Sequence, residues 1–131
     1  MKKYFVRCPM TAALSVVGGK WKPLILWYLH IKGSVRYGEL KKQLPDASLK
    51  VYNEQLKELE SDKLISKQIF AEVPPRTEYS LTDYGKTLVP MLQGLMEWGY
   101  AHLMANPQIT DSETFEKIKA FFANHKTLKT N

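Results

Sequence analysis

The sequence predicts a single α+β domain, mainly α, and three observations lead there. Apolar residues recur at three- and four-residue spacing over 9–61 and again from Thr82 onward, the period of helices that bury one face. Between those stretches, over 64–81, the period switches to two around a proline-rich break, which is the pattern of a β-hairpin. With 131 residues, 44% of them hydrophobic, the chain is long enough to bury one core without disulfides or metals.

The elements follow in order. Residues 9–17 place Met10, Ala13, Leu14 and Val17 at helical spacing, and Gly18-Gly19 ends the segment. A second helix lies in "KWKPLILWYLHIKG": Pro23 is tolerated in a first turn, the dense run from Leu24 to Leu29 marks a buried helix, and Gly33 closes it. Residues 34–36 read as a short extended piece. A third helix over 37–44 turns Leu40 and Leu44 inward and stops at the turn chemistry of Pro45 and Asp46. Ser48 is a good N-cap for a fourth helix, in which Tyr52, Leu56 and Leu59 continue at spacings of four and three. Together these make a helix-turn-helix over about 38–61.

The hairpin follows directly, at 64–81, with Leu64 or Ile65, then Ile69 and Val73, on its alternating face and "PPR" at its tip. Thr82 then caps a helical stretch reaching about Met104, in which Pro90 implies a kink or a later helix start. "NPQIT" separates it from a final amphipathic helix over 112–125, with Phe115, Ile118, Phe121 and Phe122 on one side, and "KTLKTN" reads as a frayed tail.

Charge narrows the function. The net charge is +6, and residues 1–42 hold nine Lys or Arg against Glu39 alone, while the remainder is slightly acidic. A basic surplus gathered in one third of the chain suits a phosphate-rich partner, although a solvated lysine surface would look the same by charge alone. No apolar run reaches the roughly 18 residues that span a bilayer. The first twenty residues do not read as a signal peptide, since Arg7 and Pro9 interrupt their apolar part, so a cytoplasmic protein with no membrane partner is expected. A lone cysteine, Cys8, excludes an internal disulfide and any multi-cysteine metal site.

On the fourth helix, Tyr52, Leu56 and Leu59 share one face while Lys50, Asn53, Glu54 and Lys57 gather on the other. An outer face of amide and cationic side chains can lie in a major groove, where Asn pairs with adenine and Lys with guanine. Glu54 fits poorly there unless it accepts from cytosine or pairs with Lys50 or Lys57. Leu49 falls at the boundary between core and a thymine methyl. The competing account is a solvated polar face on an ordinary bundle helix. What favours the groove is the order helix, turn, helix, then two strands, which is that of a winged helix-turn-helix. In that setting Pro74 and Pro75 blunt the hairpin tip and stiffen it, and Arg76 suits a phosphate or a narrow minor groove.

The stretches "CPMTAALSVVGGKWKPLILWYL", "RYGELKKQLPDASLKVYNEQLKELESDKLI" and "EVPPRTEYSLTDYG" resemble the HxlR family of winged helix-turn-helix transcription regulators, over about 8–103. The resemblance implies dimeric DNA-binding regulators, often repressors, some of which sense electrophiles or oxidants. It places the recognition helix at 48–60, beginning at Ser48, the wing at 65–81, and the wing arginine at Arg76. Lys20 and Lys22, beside the start of the second helix, and Arg36 and Tyr37, at the start of the third, become phosphate candidates. Asp46 stands where the family usually has glycine, and Leu49, Tyr52 and Asn53 fall at positions the family varies, so the operator sequence does not transfer.

Cys8 precedes Pro9 at an expected N-cap, with Arg7 adjacent and Lys2 and Lys3 near in sequence, a setting that favours thiolate. The resemblance makes it the candidate redox-sensing residue; the alternative is a small packed side chain. A sensing Cys8 would react with a small electrophile or oxidant by alkylation, a mixed disulfide, or a bond to Cys8 of a second subunit. The apolar residues of 81–104 exceed one stripe, so a homodimer is expected through dimerisation helices at about 9–17, 83–105 and 112–125. Its interface would use Leu88, Leu92, Leu95, Trp98, Phe115 and Phe122, and would space two recognition helices about 34 Å apart. The partners expected are therefore a double-stranded DNA operator and a second copy. No cofactor, metal or catalytic residue is expected, because His30, His102 and His125 lie on three separate segments. A winged helix that binds protein or RNA is the alternative, with a thiol enzyme behind it.

Overall fold

The computed structural model describes residues 7–124. The chain divides into two compact units, one extending to Thr87 and one beginning at Leu88.

The first unit contains α1 (Pro9–Val17), α2 (Lys22–Lys32), β1 (Ser34–Arg36), α3 (Tyr37–Lys42), α4 (Leu49–Ser61), β2 (Ile65–Phe70), β3 (Arg76–Leu81) and the short α5 (Asp83–Lys86). The extended piece after α2 becomes an edge strand of an antiparallel sheet ordered β1-β3-β2. Val35 pairs with Tyr79 across it, and Ile65 with Leu81 on the other side. Gly33 makes the sharp exit from α2 possible, since its φ of 90° lies where a side chain is strained, while its N–H still satisfies Leu29 O at 2.8 Å.

Apolar periodicity decides what goes inside. Ile25, Leu26 and Leu29 of α2, Val35 of β1, Leu40 and Leu44 around α3, Tyr52, Leu56 and Leu59 of α4, and Leu64, Ile65 and Tyr79 of the hairpin are all buried. Each fully buried leucine or isoleucine contributes about 1.5–3 kcal/mol, so this cluster is what holds the helix-turn-helix to the sheet. α4 starts as its sequence suggests, with Ser48 Oγ accepting from Val51 N–H at 3.1 Å. It ends with Lys63 at a φ of 64° and Leu64 N–H returning to Leu59 O at 3.0 Å.

The hairpin departs from the expected alternation. Ile65 is buried, but Ile69 is 64% exposed and Val73 is wholly exposed, because the strands run past the end of the core and project outward. Thr82 fastens the inner end. Its hydroxyl donates to Lys63 O at 2.6 Å and accepts from Gly85 N–H at 2.9 Å, while its own N–H reaches Leu64 O at 3.1 Å.

The second unit consists of α6 (Val89–Ala105), a 3-10 turn (Pro107–Ile109) and α7 (Ser112–Asn124). Pro90 therefore marks a new helix start, in a first turn that needs no donor from it. Asp111 opens α7 by accepting from Thr114 N–H and Thr114 Oγ1, both at 2.8 Å, bonds that hold its carboxyl below the usual range. Tyr100 of α6 stacks on Phe122 of α7 with centroids 4.2 Å apart. Beside that stack, Leu95, Gly99, Leu103, Ile118 and Phe121 line an apolar groove of about 370 Å³.

Phe122 and Leu92, expected at a dimer interface, are buried in the single chain and have no surface left to offer. Leu88 and Phe115 are half-buried, and Leu95 and Trp98 are exposed. His125, with the tail that follows it, falls outside the described residues, as do Lys2 and Lys3. Among the described residues no helix is long and apolar enough to cross a membrane.

Gly85 is the tightest point of the first unit, since a Cβ there would meet Leu64 O at 2.0 Å. Gly85→Ala is expected to lower stability by about 1–3 kcal/mol in urea titrations, as overpacking against rigid backbone does. An unchanged midpoint would show that α5 can move aside freely.

Candidate nucleic-acid interface

With Tyr52, Leu56 and Leu59 turned into the core, α4 offers Lys50, Glu54 and Lys57 to solvent, and Asn53 stands half-buried between them. Ser48 is exposed, but its oxygen is engaged in the cap. Leu49, left at the boundary by its spacing, is exposed rather than covering core.

Asn53 is not a free side chain. Tyr37, the first residue of α3, donates its hydroxyl to Asn53 Oδ1 at 2.6 Å. The Tyr37 ring packs on Tyr52 and Tyr79 at centroid distances of 5.1 and 6.5 Å, and its backbone carbonyl accepts from the Tyr52 hydroxyl at 2.6 Å. Burial, followed by the neighbouring Tyr37 and Tyr79, raises the Tyr52 hydroxyl far above its ordinary pKa, so it stays a donor at every physiological pH. Three tyrosines from α3, α4 and β3 thus meet under the outer face of α4. Tyr37, expected to reach phosphate, instead spends its hydroxyl inside the protein.

Between α4 and the hairpin lies a cleft of about 390 Å³ lined by Tyr37, Asn53, Leu56, Lys57, Glu60, Lys67, Thr77 and Tyr79. Lys57 on α4 and exposed Lys67 on β2 bring two ammonium groups to one opening. Lys67 did not stand out in the sequence; its only signal is a charged position on the outer face of a strand. A second cleft of about 390 Å³ sets Arg36, Tyr37 and Gly38 against the hairpin tip at 72–77. Arg36 is exposed at the N-cap position of α3.

Arg76 is held differently from what the tip sequence suggests. Its guanidinium pairs with Glu72 at 3.2 Å and Glu78 at 3.1 Å and lies over the Phe70 ring at 4.0 Å from the centroid, leaving the side chain 25% exposed. Ser34 Oγ donates to Glu78 Oε1 at 2.8 Å, extending the brace to β1. Two carboxylates and a ring fix the arginine, and Pro74 and Pro75 stay exposed at the turn.

The two lysines around the start of α2 have separate fates. Lys20 is exposed, with its ammonium 4.7 Å from the Trp21 centroid. Lys22 is 4% exposed and its ammonium pairs with Glu58 of α4, so it is not presented to a phosphate. It ties the first turn of α2 to α4, through a partner 36 residues away that no spacing rule could find.

Cys8 is the N-cap of α1 and is exposed. Its Sγ lies 3.2 Å from Thr11 Oγ1 and 3.5 Å from Thr11 N. These bonds, the hydroxyl's first, lower the thiol pKa below its ordinary value. The cap position agrees with the sequence-based expectation, and among the described residues the Thr11 hydroxyl is the leading cause.

Comparison with known proteins points one way. Residues 16–107 match the HxlR-like helix-turn-helix family. The HTH-type transcriptional regulator YdeP of Bacillus subtilis is 40% identical over 95 residues, covering 72% of this chain and 73% of that protein. Among solved structures, the redox regulator HypR in its oxidised form superposes with a TM-score of 0.69 at 37% identity, covering 72% of this chain and 96% of HypR. The reduced form of the B. subtilis transcriptional regulator YodB gives 0.62 at 32% identity, covering 78% of this chain and 98% of YodB.

The thiol yields a direct prediction. The rate of Cys8 alkylation against pH should rise with a midpoint below that of an ordinary cysteine, and Thr11→Val should move the midpoint up and slow the reaction at neutral pH. Identical profiles for the two proteins would remove Thr11 as the cause.

Proposed function

The chain belongs to the HxlR-like helix-turn-helix family of transcription regulators, and from that premise we propose that it binds an operator as a homodimer and represses transcription. The observation that supports the proposal is the cleft between α4 and the hairpin, which Lys57, Lys67 and Asn53 line together with the single carboxylate of Glu60. α4 enters a major groove by its outer face, with Lys50 and Asn53 toward bases, while Lys57, Lys67, Arg36 and Lys20 neutralise phosphates. Arg76 acts chiefly by bracing the wing tip, since its guanidinium is already paired twice. Exposed Leu95 and Trp98 on α6 support a subunit contact there.

A finer part of the proposal is that Cys8 switches binding in response to oxidants or electrophiles. Its exposed, Thr11-stabilised thiol supports this, as does similarity to the redox regulator HypR. With no second cysteine in the sequence, oxidation by diamide would join two Cys8 thiols across the dimer, each losing a proton and the pair transferring two electrons to diamide.

Gel-shift titration on the DNA upstream of the chain's own gene tests both parts. Wild type should bind with log K falling against log salt, and the Lys57→Ala, Lys67→Ala double variant should reduce that slope by about 2. Diamide should release wild type but not Cys8→Ser. Salt-independent retention, or no binding at any salt, contradicts the DNA reading; equal responses to diamide contradict only the switch.

A further inference from the structure

An asparagine on a recognition helix reads adenine by using both ends of its carboxamide, Oδ1 accepting from N6–H and Nδ2 donating to N7. That pairing needs Oδ1 turned toward the base. Here Oδ1 is turned toward Tyr37, whose hydroxyl donates to it at 2.6 Å, at the short end for an O–H···O bond. The two branches of a planar carboxamide diverge, so fixing the oxygen also fixes the Nδ2 amide. Nδ2 makes no hydrogen bond to any described residue.

Resting on the reading of α4 as the base-contacting helix, we infer that Tyr37 is a positioning residue that sets which edge Asn53 presents to DNA. Held this way, Asn53 offers two N–H donors. Guanine, with O6 and N7, and thymine, with O4, accept them; cytosine places its own N4 donors opposite and is rejected, and adenine loses half of its bidentate pair.

The geometry explains why Tyr37 can hold its post. Its ring is wedged between Tyr52 and Tyr79, and its carbonyl is pinned by the buried Tyr52 hydroxyl, so the phenol cannot swing away without disturbing the core. Tyr37 opens α3 and Asn53 lies on α4, so the turn between the two helices sets the distance that the hydroxyl spans. Losing a bond of this kind costs about a two- to tenfold factor in an equilibrium. That factor is the size of the preference Tyr37 imposes.

The test is selection of binding sites from a randomised DNA duplex by wild type, Tyr37→Phe, Asn53→Ala and the double variant, with thermal melts of each. Wild type should show one half-site position where guanine or thymine outranks cytosine and adenine. Asn53→Ala should flatten that position alone. Tyr37→Phe should raise adenine there about two- to tenfold, and the double variant should match Asn53→Ala. If Tyr37→Phe recovers the wild-type motif, or if Asn53→Ala flattens nothing while the motif persists, the inference is overturned and the DNA-binding reading stands. If wild type enriches no sequence, both fall. NMR relaxation of the Asn53 side-chain amide in the free wild-type protein tests the clamp without any variant: a rigid carboxamide supports it, and an order parameter below about 0.6 overturns it.

Discussion

The burial of one hydroxyl, that of Tyr52, is the constraint on which the arrangement of this surface depends. A phenol placed in a core must find an acceptor or lose the water it gave up. Tyr52 finds the carbonyl of Tyr37. That bond crosses the helix-turn-helix, so the ring that makes α4 pack also decides where α3 begins relative to it. From Tyr37 the consequences spread outward, to Asn53 on the exposed face and to Tyr79 beneath the wing. Packing and presentation are thereby linked in one cluster.

A second consequence concerns charge. The basic surplus of the first third does not reach the surface intact, because Lys22 is spent inside on Glu58. A buried lysine with a carboxylate partner fixes geometry more than it adds stability, since desolvation offsets much of the attraction. At the hairpin tip Glu72 and Glu78 similarly occupy Arg76. Lys20, Arg36, Lys50, Lys57 and Lys67 are among the cations left outward, and of these Lys50, Lys57 and Lys67 lie on α4 and the wing, outside the basic first third.

Much of this fold was legible because it rests on local signals. Ser48 as N-cap, Gly33 as a helix stop and the period change at Leu64 all act within a few residues, and the matching elements appear where they point, while Pro90, which left a kink or a later helix start open, lies in the first turn of α6. The Arg76 clasp was half legible, since Glu72 and Glu78 are written on either side of it, though no pattern says that carboxylates rather than prolines will hold it. Asp111 as the cap of α7 was one residue from the serine expected to begin that helix. What could not be read were contacts between distant residues: Lys22 with Glu58, Tyr37 with Asn53, and Lys67 across from Lys57. These depend on how helices and strands pack, and they are the contacts that turn candidate residues into roles. The buried positions of Leu92 and Phe122 make the same point, because an apolar excess does not say which residues the chain itself will cover.

On the proposed reading, the outer face of α4 and the adjoining wing cleft form the DNA-contacting surface. Titrating the ¹⁵N-labelled protein with an operator-length duplex and following its amide resonances tests this most directly. The largest shifts are expected in residues 48–57, at Lys67 and at Arg36. Shifts confined to residues beyond Leu88, with α4 unmoved at saturation, would contradict it.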